Sequence, residues 1–189
     1  MLLYREMSPV AYVGRYPSPL GEMTMTGDEQ GLTGLWFSDM PDRGVRQPAR
    51  PAGGELPVFR ETAAWLDAYF SGQTPDFMPP LAVQATPFCR TVWEQLLTIP
   101  YGHTVTYGGI ARRLAGEAEP PGLSARAVGG AVGRNPILLL IPCHRVVGAG
   151  GRLTGYAGGL PRKSRLLRLE GALGPVSTDR CSPLRPDSD

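Results

Sequence analysis

Ile141-Pro142-Cys143-His144-Arg145-Val146, which completes the apolar run 137–141, is the stretch around which the rest of the chain organises. Proline restricts the backbone ahead of the thiol. An imidazole and a permanent cation follow it, surroundings that favour a thiolate. The run 137–141 reads as a buried strand delivering Cys143 to its end. Adjacent residues of an extended strand face opposite ways, so the residues predict no direct thiol–imidazole pair and leave a bridging water as the proton route.

Immediately upstream lies Arg134-Asn135-Pro136, a turn signal. Before it, residues 124–133 read as a short helix, and Thr106 caps an earlier one running through Leu114. A Gly/Pro-rich connection, 116–122, separates the two, and the pair suggests a helix-turn-helix. The second helix, Ala125-Arg126-Ala127-Val128-Gly129-Gly130-Ala131, has almost no side chain long enough to read base edges. Gly129 and Gly130 each cost a helix about 1 kcal/mol relative to alanine. Either close packing within the protein requires them, or a slender helix enters the minor groove, about 6 Å wide, where bases are poorly discriminated. Arg126 is the one long side chain there, suited to filling the space a departing base leaves.

Further out, the N-terminal part is β-rich. Residues 12–15, 23–26 and 32–37 read as strands, joined by turns at 17–21 and 27–31. Residues 40–57, rich in Pro, Gly and Arg, read as a loop, and 59–70 as a helix ended by Ser71-Gly72. Four prolines between 75 and 87 predict an inter-domain linker, and 88–97 a helix whose Phe88, Val92, Trp93 and Leu96 face inward. Residues 146–153 form a glycine-rich turn and 163–170 a closing helix. The fold class expected is α+β: a small β-rich N-terminal domain (1–78) with one or two helices and a linker (79–86). A mostly helical C-terminal domain (87–171) with the helix-turn-helix follows, and then a disordered tail (172–189) carrying an inert Cys181.

Composition narrows the functional classes. The 189 residues are 42% hydrophobic and 19% charged, enough for a packed core and against wholesale disorder. No run of about eighteen apolar residues predicts a membrane span, and the first residues lack a signal-peptide layout. A soluble cytoplasmic protein is expected, in a compartment that keeps thiols reduced. Three cysteines without CxxC spacing, and only His103 and His144, predict neither disulfides nor a metal site. Net charge is only +2, but Arg112, Arg113, Arg126, Arg134, Arg145, Arg152, Arg162, Lys163, Arg165 and Arg168 share the span 101–170 with just Glu117, Glu119 and Glu170. That basic half suits a polyanion, although a solvated basic face gives the same count. Arginines outnumber lysines eighteen to one, which reflects coding bias as readily as DNA contact.

The ordered motifs Thr86-Pro87-Phe88, Val92-Trp93, Ile99-Pro100-Tyr101-Gly102, Thr106-Tyr107, Ala125 to Ala131, Arg134-Asn135-Pro136, Ile141 to Val146, Gly155-Tyr156, Leu166-Leu167 and Glu170-Gly171 resemble the O6-alkylguanine-DNA alkyltransferases. Ser18-Pro19-Leu20-Gly21 and Asp67-Ala68-Tyr69-Phe70 extend the resemblance more loosely to the N-terminal half. It implies direct-reversal DNA repair without turnover: an alkylated guanine swings out of the duplex and Cys143 takes its alkyl group irreversibly. It further implies His144 as a base acting through a water and Glu170 orienting the histidine. Tyr107 would press on the target phosphate and donate to guanine N3, and Asn135 would tighten the turn between recognition helix and active site. Ala125, Arg126, Ala127, Gly129 and Tyr107 would meet DNA, with Arg126 replacing the extruded nucleotide. Pro142, Val146, Tyr156 and Ala157 would line the pocket. Some family members carry serine at the position of Ala157, so a side-chain donor to O6 is missing here. No cofactor is implied, and zinc, which some relatives bind in the N-terminal domain, lacks ligands in this chain. The partner is double-stranded DNA carrying alkylated bases, with O4-alkylthymine a second candidate base. A monomer is expected, and cooperative binding along DNA stays open.

Without the resemblance, Glu170 would be an exposed helix-end acid, Tyr107 a half-buried core tyrosine and Asn135 a plain Asn–Pro turn. A non-catalytic sensor of alkylated DNA is the main alternative, opposed by the presence of Cys143. A sequence-specific regulator is opposed by the short side chains of the second helix.

Overall fold

The computed structural model describes residues 2–4, 12–40, 50–51, 56–116 and 123–173, with backbone alone for 2–4 and 50–51. Most of the expected 40–57 loop, the 117–122 part of the connection, and the tail from 174 with Cys181 lie outside these residues. Among the described residues there are eight strands: β1 (Leu2–Tyr4), β2 (Tyr12–Ser18), β3 (Gly21–Asp28), β4 (Gly31–Phe37), β5 (Arg50–Pro51), β6 (Leu81–Val83), β7 (Val105–Thr106) and β8 (Val146–Val147). The helices are α1 (Pro57–Phe70), α2 (Pro87–Leu97), α3 (Tyr107–Ala115), α4 (Ala125–Gly133) and α5 (Leu160–Leu169). The expected α+β division, β-rich then helical, is the one observed.

The three expected strands, β2, β3 and β4, form an antiparallel meander within a six-stranded sheet ordered β1-β6-β4-β3-β2-β5. One correction concerns the expected linker 79–86: Leu81–Val83 within it is β6, buried and parallel to both β1 and β4. Gly31 admits it. At φ +151°, with the oxygen of Pro80 only 2.5 Å from where a Cβ would stand, this position excludes a side chain. Leu32 N–H then donates to that oxygen at 2.8 Å. Helix α1, opened by Pro57 in its first turn, lays Val58, Phe59, Thr62, Trp65, Leu66 and Tyr69 against the sheet at helical spacing.

The helical half is capped where its sequence asks for caps. Thr86, Thr106 and Ser124 accept hydrogen bonds from the backbone of Cys89, Gly109 and Ala127 at the starts of α2, α3 and α4. Trp93 of α2 donates from Nε1 to the Ala131 carbonyl at 2.9 Å and fixes α4 from behind.

A second correction concerns residues 137–141, expected as a strand. Only Ile137 makes a bridge, to Leu35 of β4, through Leu35 N–H to Pro136 O at 2.9 Å and Leu138 N–H to Leu35 O at 2.8 Å. The chain then coils: Leu140 N–H donates to Leu138 O at 2.8 Å and Ile141 N–H to Ile137 O at 3.2 Å. Leu139 stands at φ +67°, a conformation that leucine adopts only under firm packing. A short apolar run does not specify its own hydrogen bonding. This one is buried between the two halves of the molecule rather than within a sheet.

Candidate active site

Cys143 is placed by three local devices. Asn135, buried, receives the Ile137 N–H on Oδ1 at 3.0 Å and donates from Nδ2 to Ile141 O at 2.8 Å, tying both ends of the coiled run. The same Nδ2 reaches Cys143 Sγ at 3.1 Å, a donor aimed at the sulfur. Pro142, at φ −80° and ψ 61°, is the centre of an inverse γ-turn closed by Cys143 N–H to Ile141 O at 2.7 Å. Cys143–Arg145 then winds into a 3₁₀ turn, which corrects the extended geometry expected here. The thiol lies just beneath the surface at 3% exposure.

His144 is fully buried. Its Nε2 meets Glu170 Oε1 at 2.7 Å, while its buried Nδ1 makes no hydrogen bond to a protein group. This assigns the proton to Nε2 and a free lone pair to Nδ1. Burial lowers the imidazole's pKa and outweighs the opposing pull of Glu170, so the ring is neutral near pH 7.

Glu170, expected to sit exposed were it an ordinary helix-end acid, is 5% exposed and crowded with donors. Oε1 accepts from His144, from Tyr69 Oη at 2.7 Å and from Arg145 Nη2 at 3.1 Å. Oε2 accepts from Arg145 Nε at 2.9 Å and Gly102 N–H at 3.3 Å. Burial pushes the carboxyl pKa up, but hydrogen bonds and charge from His144 and Arg145 prevail and bring it down to about 2. Arg145 also donates to Ile99 O at 2.7 Å and lies 5.7 Å from the Tyr101 ring centroid.

Tyr107 opens α3. Its hydroxyl points to the carbonyls of Thr154 and Gly155 at 3.3 and 3.4 Å, and its ring borders α4 at Gly129. Burial raises the phenol's pKa, and the neighbouring Cys143 adds to that, so it remains a proton donor. Tyr156 sets its ring edge-on to His144 at 6.3 Å, and Val146 is buried beside the 3₁₀ turn. Ala157, partly buried against the core, follows Tyr156. The loop carrying them is clasped by Arg162, which donates to Leu20 O at 2.9 Å and Asp39 Oδ2 at 2.8 Å across to the N-terminal sheet.

Cys143, His144, Glu170, Asn135, Tyr107, Pro142, Val146 and Tyr156 thus converge. Ala125 and Arg126 instead lie exposed at the start of α4, with Ala127 and Gly129 half-buried behind them. A Cβ at Gly130 would meet nothing within 4 Å, and one at Gly129 only the Tyr107 ring at 3.7 Å. Packing within the protein therefore does not require these glycines. Among the described residues no group of three or more His, Cys, Asp or Glu side chains is placed to hold a metal.

Lys163 was missed as a site residue and counted towards a basic face. It is wholly buried, and Nζ donates to Val146 O, Thr154 O and Gly155 O at 2.5, 2.6 and 3.0 Å. Burial brings its pKa down to about 8 against the pull of Cys143. Arg145 is buried too, so the basic face is smaller than the count implied. Three carbonyls converging on one ammonium leave no room for a planar guanidinium. Lys163→Arg is expected to lose about 2–4 kcal/mol of unfolding free energy in urea titrations, through carbonyls left without donors.

The halves of the chain match two family models: 6-O-methylguanine DNA methyltransferase, ribonuclease-like domain, over residues 11–83, and 6-O-methylguanine DNA methyltransferase, DNA binding domain, over residues 87–172. A methylated-DNA–protein-cysteine methyltransferase of Methanosarcina acetivorans is 41% identical over 167 residues, covering 85% of this chain and 99% of that protein. Its namesake in Mycobacterium leprae is 45% identical over 153 residues, covering 81% and 88%. Among solved structures, the O6-methylguanine methyltransferase of Mycobacterium tuberculosis superposes with a TM-score of 0.74 at 40% identity, covering 88% of this chain and 96% of that one. The OGT of the same species in complex with DNA gives 0.73 at 40% identity, covering 85% and 93%. Fold, site and likeness together define a direct-reversal DNA-repair methyltransferase with its own cysteine as acceptor. The chain belongs to the O6-alkylguanine-DNA alkyltransferase family, the methylated-DNA–protein-cysteine methyltransferases.

Proposed function

We propose that Cys143 is the acceptor atom and that the residues around it divide the work of a single displacement. The duplex is engaged through its minor groove by α3 and α4. Arg126 enters the stack as the alkylated guanine swings out, and Tyr107 presses on the target phosphate. The thiol proton passes through a water to Nδ1 of His144, while Glu170, a poor base under so many donors, stays anionic and supports the imidazolium. The sulfur lone pair forms the S–C bond and the C–O6 pair departs onto the base, whose developing charge is met by Tyr107 donating to N3. Return of the imidazolium proton leaves a thioether, a neutral guanine and a neutral histidine. With alanine at 157, donation towards O6 falls to backbone N–H groups. Pro142, Val146 and Tyr156 shape the pocket wall.

The observation that carries this reading is the thiol held by Asn135 beside a histidine whose other nitrogen is committed to Glu170. A Cys–His hydrolase would need its imidazole bonded directly to the thiol. The sensor alternative has no structural observation in its favour. The protein acts as two domains, one chain per lesion, in the reducing cytoplasm. No helix among the described residues is long and apolar enough to cross a membrane.

The test is a duplex carrying labelled O6-methylguanine: label moves to the protein and stops at one equivalent per chain. Arg126→Ala should slow that transfer by about fivefold to thirtyfold, because about one or two of the few kcal/mol needed to unstack a base go uncompensated. Affinity for undamaged duplex should change by only about twofold, since one cation among many phosphate contacts is lost. Equal losses in rate and affinity would contradict the intruding role.

A further inference from the structure

We infer that Tyr69, supplied by α1 of the N-terminal half, is a positioning residue for alkyl transfer that sets how firmly Glu170 holds the His144 proton. The inference rests on the roles proposed above for Cys143, His144 and Glu170.

Every other side chain that binds Glu170 comes from the C-terminal half. Tyr69 reaches it from a helix 101 residues earlier in the chain, with its hydroxyl 2.7 Å from Glu170 Oε1 and 3.3 Å from His144 Nε2. The residue is fully buried. Its ring is locked by Trp65, stacked at 5.3 Å, and by Tyr101, edge-on at 5.9 Å, and meets the His144 ring edge-on at 6.3 Å. Burial, followed by the charge of Glu170, pushes the phenol's pKa far above its ordinary range, so it acts as a permanent donor rather than a titrating group.

The choice of acceptor is what matters. A buried hydroxyl needs one acceptor, and any carbonyl would serve. This one shares the carboxylate oxygen that receives the His144 N–H. Donors sharing one anionic oxygen each draw on the same charge, so the Tyr69 hydroxyl weakens the hold of Glu170 on the imidazolium. The other groups facing the pair are Arg145 from the 3₁₀ turn, Gly102 N–H and Tyr101 after α2, Tyr156 from the pocket loop, and Lys163 from α5. Arg145 fixes the carboxylate from two sides, so it stays in place when the tyrosine hydroxyl is removed. Without that hydroxyl Glu170 becomes the better partner for a charged His144, so the imidazole takes up a solvent proton at higher pH and the neutral base the thiol needs is lost sooner as pH falls.

The experiment is the single-turnover rate of methyl transfer to the full-length protein from saturating O6-methylguanine duplex, measured from about pH 5 to 9. Tyr69→Phe retains the ring and its packing. Its acid-limb midpoint should move to higher pH by about half a unit or more, the scale of one lost hydrogen bond to a charged group. Tyr16→Phe is the control: it removes another tyrosine hydroxyl of the same half, bonded to Asp67 at 2.7 Å, and should leave the midpoint in place. Should Tyr69→Phe not fold, 3-fluorotyrosine placed at position 69 keeps the shape and strengthens the donor, and the midpoint should then fall. A midpoint unmoved in both variants, or moved the opposite way, overturns the inference. Failure of the unaltered protein to transfer methyl to Cys143 would instead remove the reading on which it rests.

Discussion

Replacing Cys143 by alanine is expected to abolish methyl transfer and leave duplex binding intact. The two effects should separate because the thiol is buried within the 3₁₀ turn, whereas the face proposed to meet DNA is the exposed start of α4, at Ala125 and Arg126. Cys143→Ser is not expected to restore transfer. A serine hydroxyl is far harder to ionise than a thiol, and a neutral imidazole acting through water is too weak a base to make the alkoxide. Gel-shift titration of both variants against undamaged duplex, beside a transfer assay, checks the separation. Transfer surviving in Cys143→Ala would assign the chemistry to another group.

Removing Glu170 has the largest expected effect on stability. Glu170→Ala leaves Arg145, His144 and Tyr69 buried with their shared acceptor gone, and an unpaired buried charge costs about 3–5 kcal/mol. That is a large part of the roughly 5–15 kcal/mol that holds a domain folded. A marked fall in the urea midpoint is expected, with transfer lost in whatever remains folded. Acid supplies an independent reading. The carboxyl titrates at about 2 in the fold against 4.5 when unperturbed, so its contribution is complete above about 4.5 and lost as pH falls towards 2. In Glu170→Gln the loss of stability across that window should be shallower than in the unaltered protein. Identical slopes would mean that the carboxylate is not held as described.

Much of the N-terminal fold is legible in sequence because its signals are local. The strands β2 to β4 follow from apolar patterning and turn residues, α1 from its spacing, and the start of α3 from the cap at Thr106. Non-local features are not legible. β6 is three residues among prolines, and its partners Leu2 and Leu32 lie far back in the chain. The run 137–141 is apolar enough for a strand, yet its neighbours come from both halves of the molecule and offer it one bridge.

The site divides in the same way. Cys143 and its neighbours could be read from residue chemistry. The link from His144 to Glu170, 26 positions apart, came only through the family resemblance, and the 2.7 Å contact supplies its geometry. Lys163 had a visible signal that went unused. It is the chain's one lysine, and it shares the inward stripe of α5 with Leu166, Leu167 and the capping Glu170 at spacings of three, four and seven. A basic residue on an apolar stripe is bound to something. Tyr69 stood only within the loose Asp67–Phe70 resemblance, with nothing to mark its hydroxyl, since a tyrosine on the buried face of a helix reads as core until its hydroxyl is located.

The most direct measurement of the central claim is peptide mapping by mass spectrometry after one equivalent of O6-methylguanine duplex has been consumed. The account predicts a single methyl increment, confined to the peptide containing Cys143, with Cys89 and Cys181 unmodified and a second equivalent of duplex left unrepaired. A methyl group on any other residue, or repaired DNA with Cys143 unchanged, would contradict it.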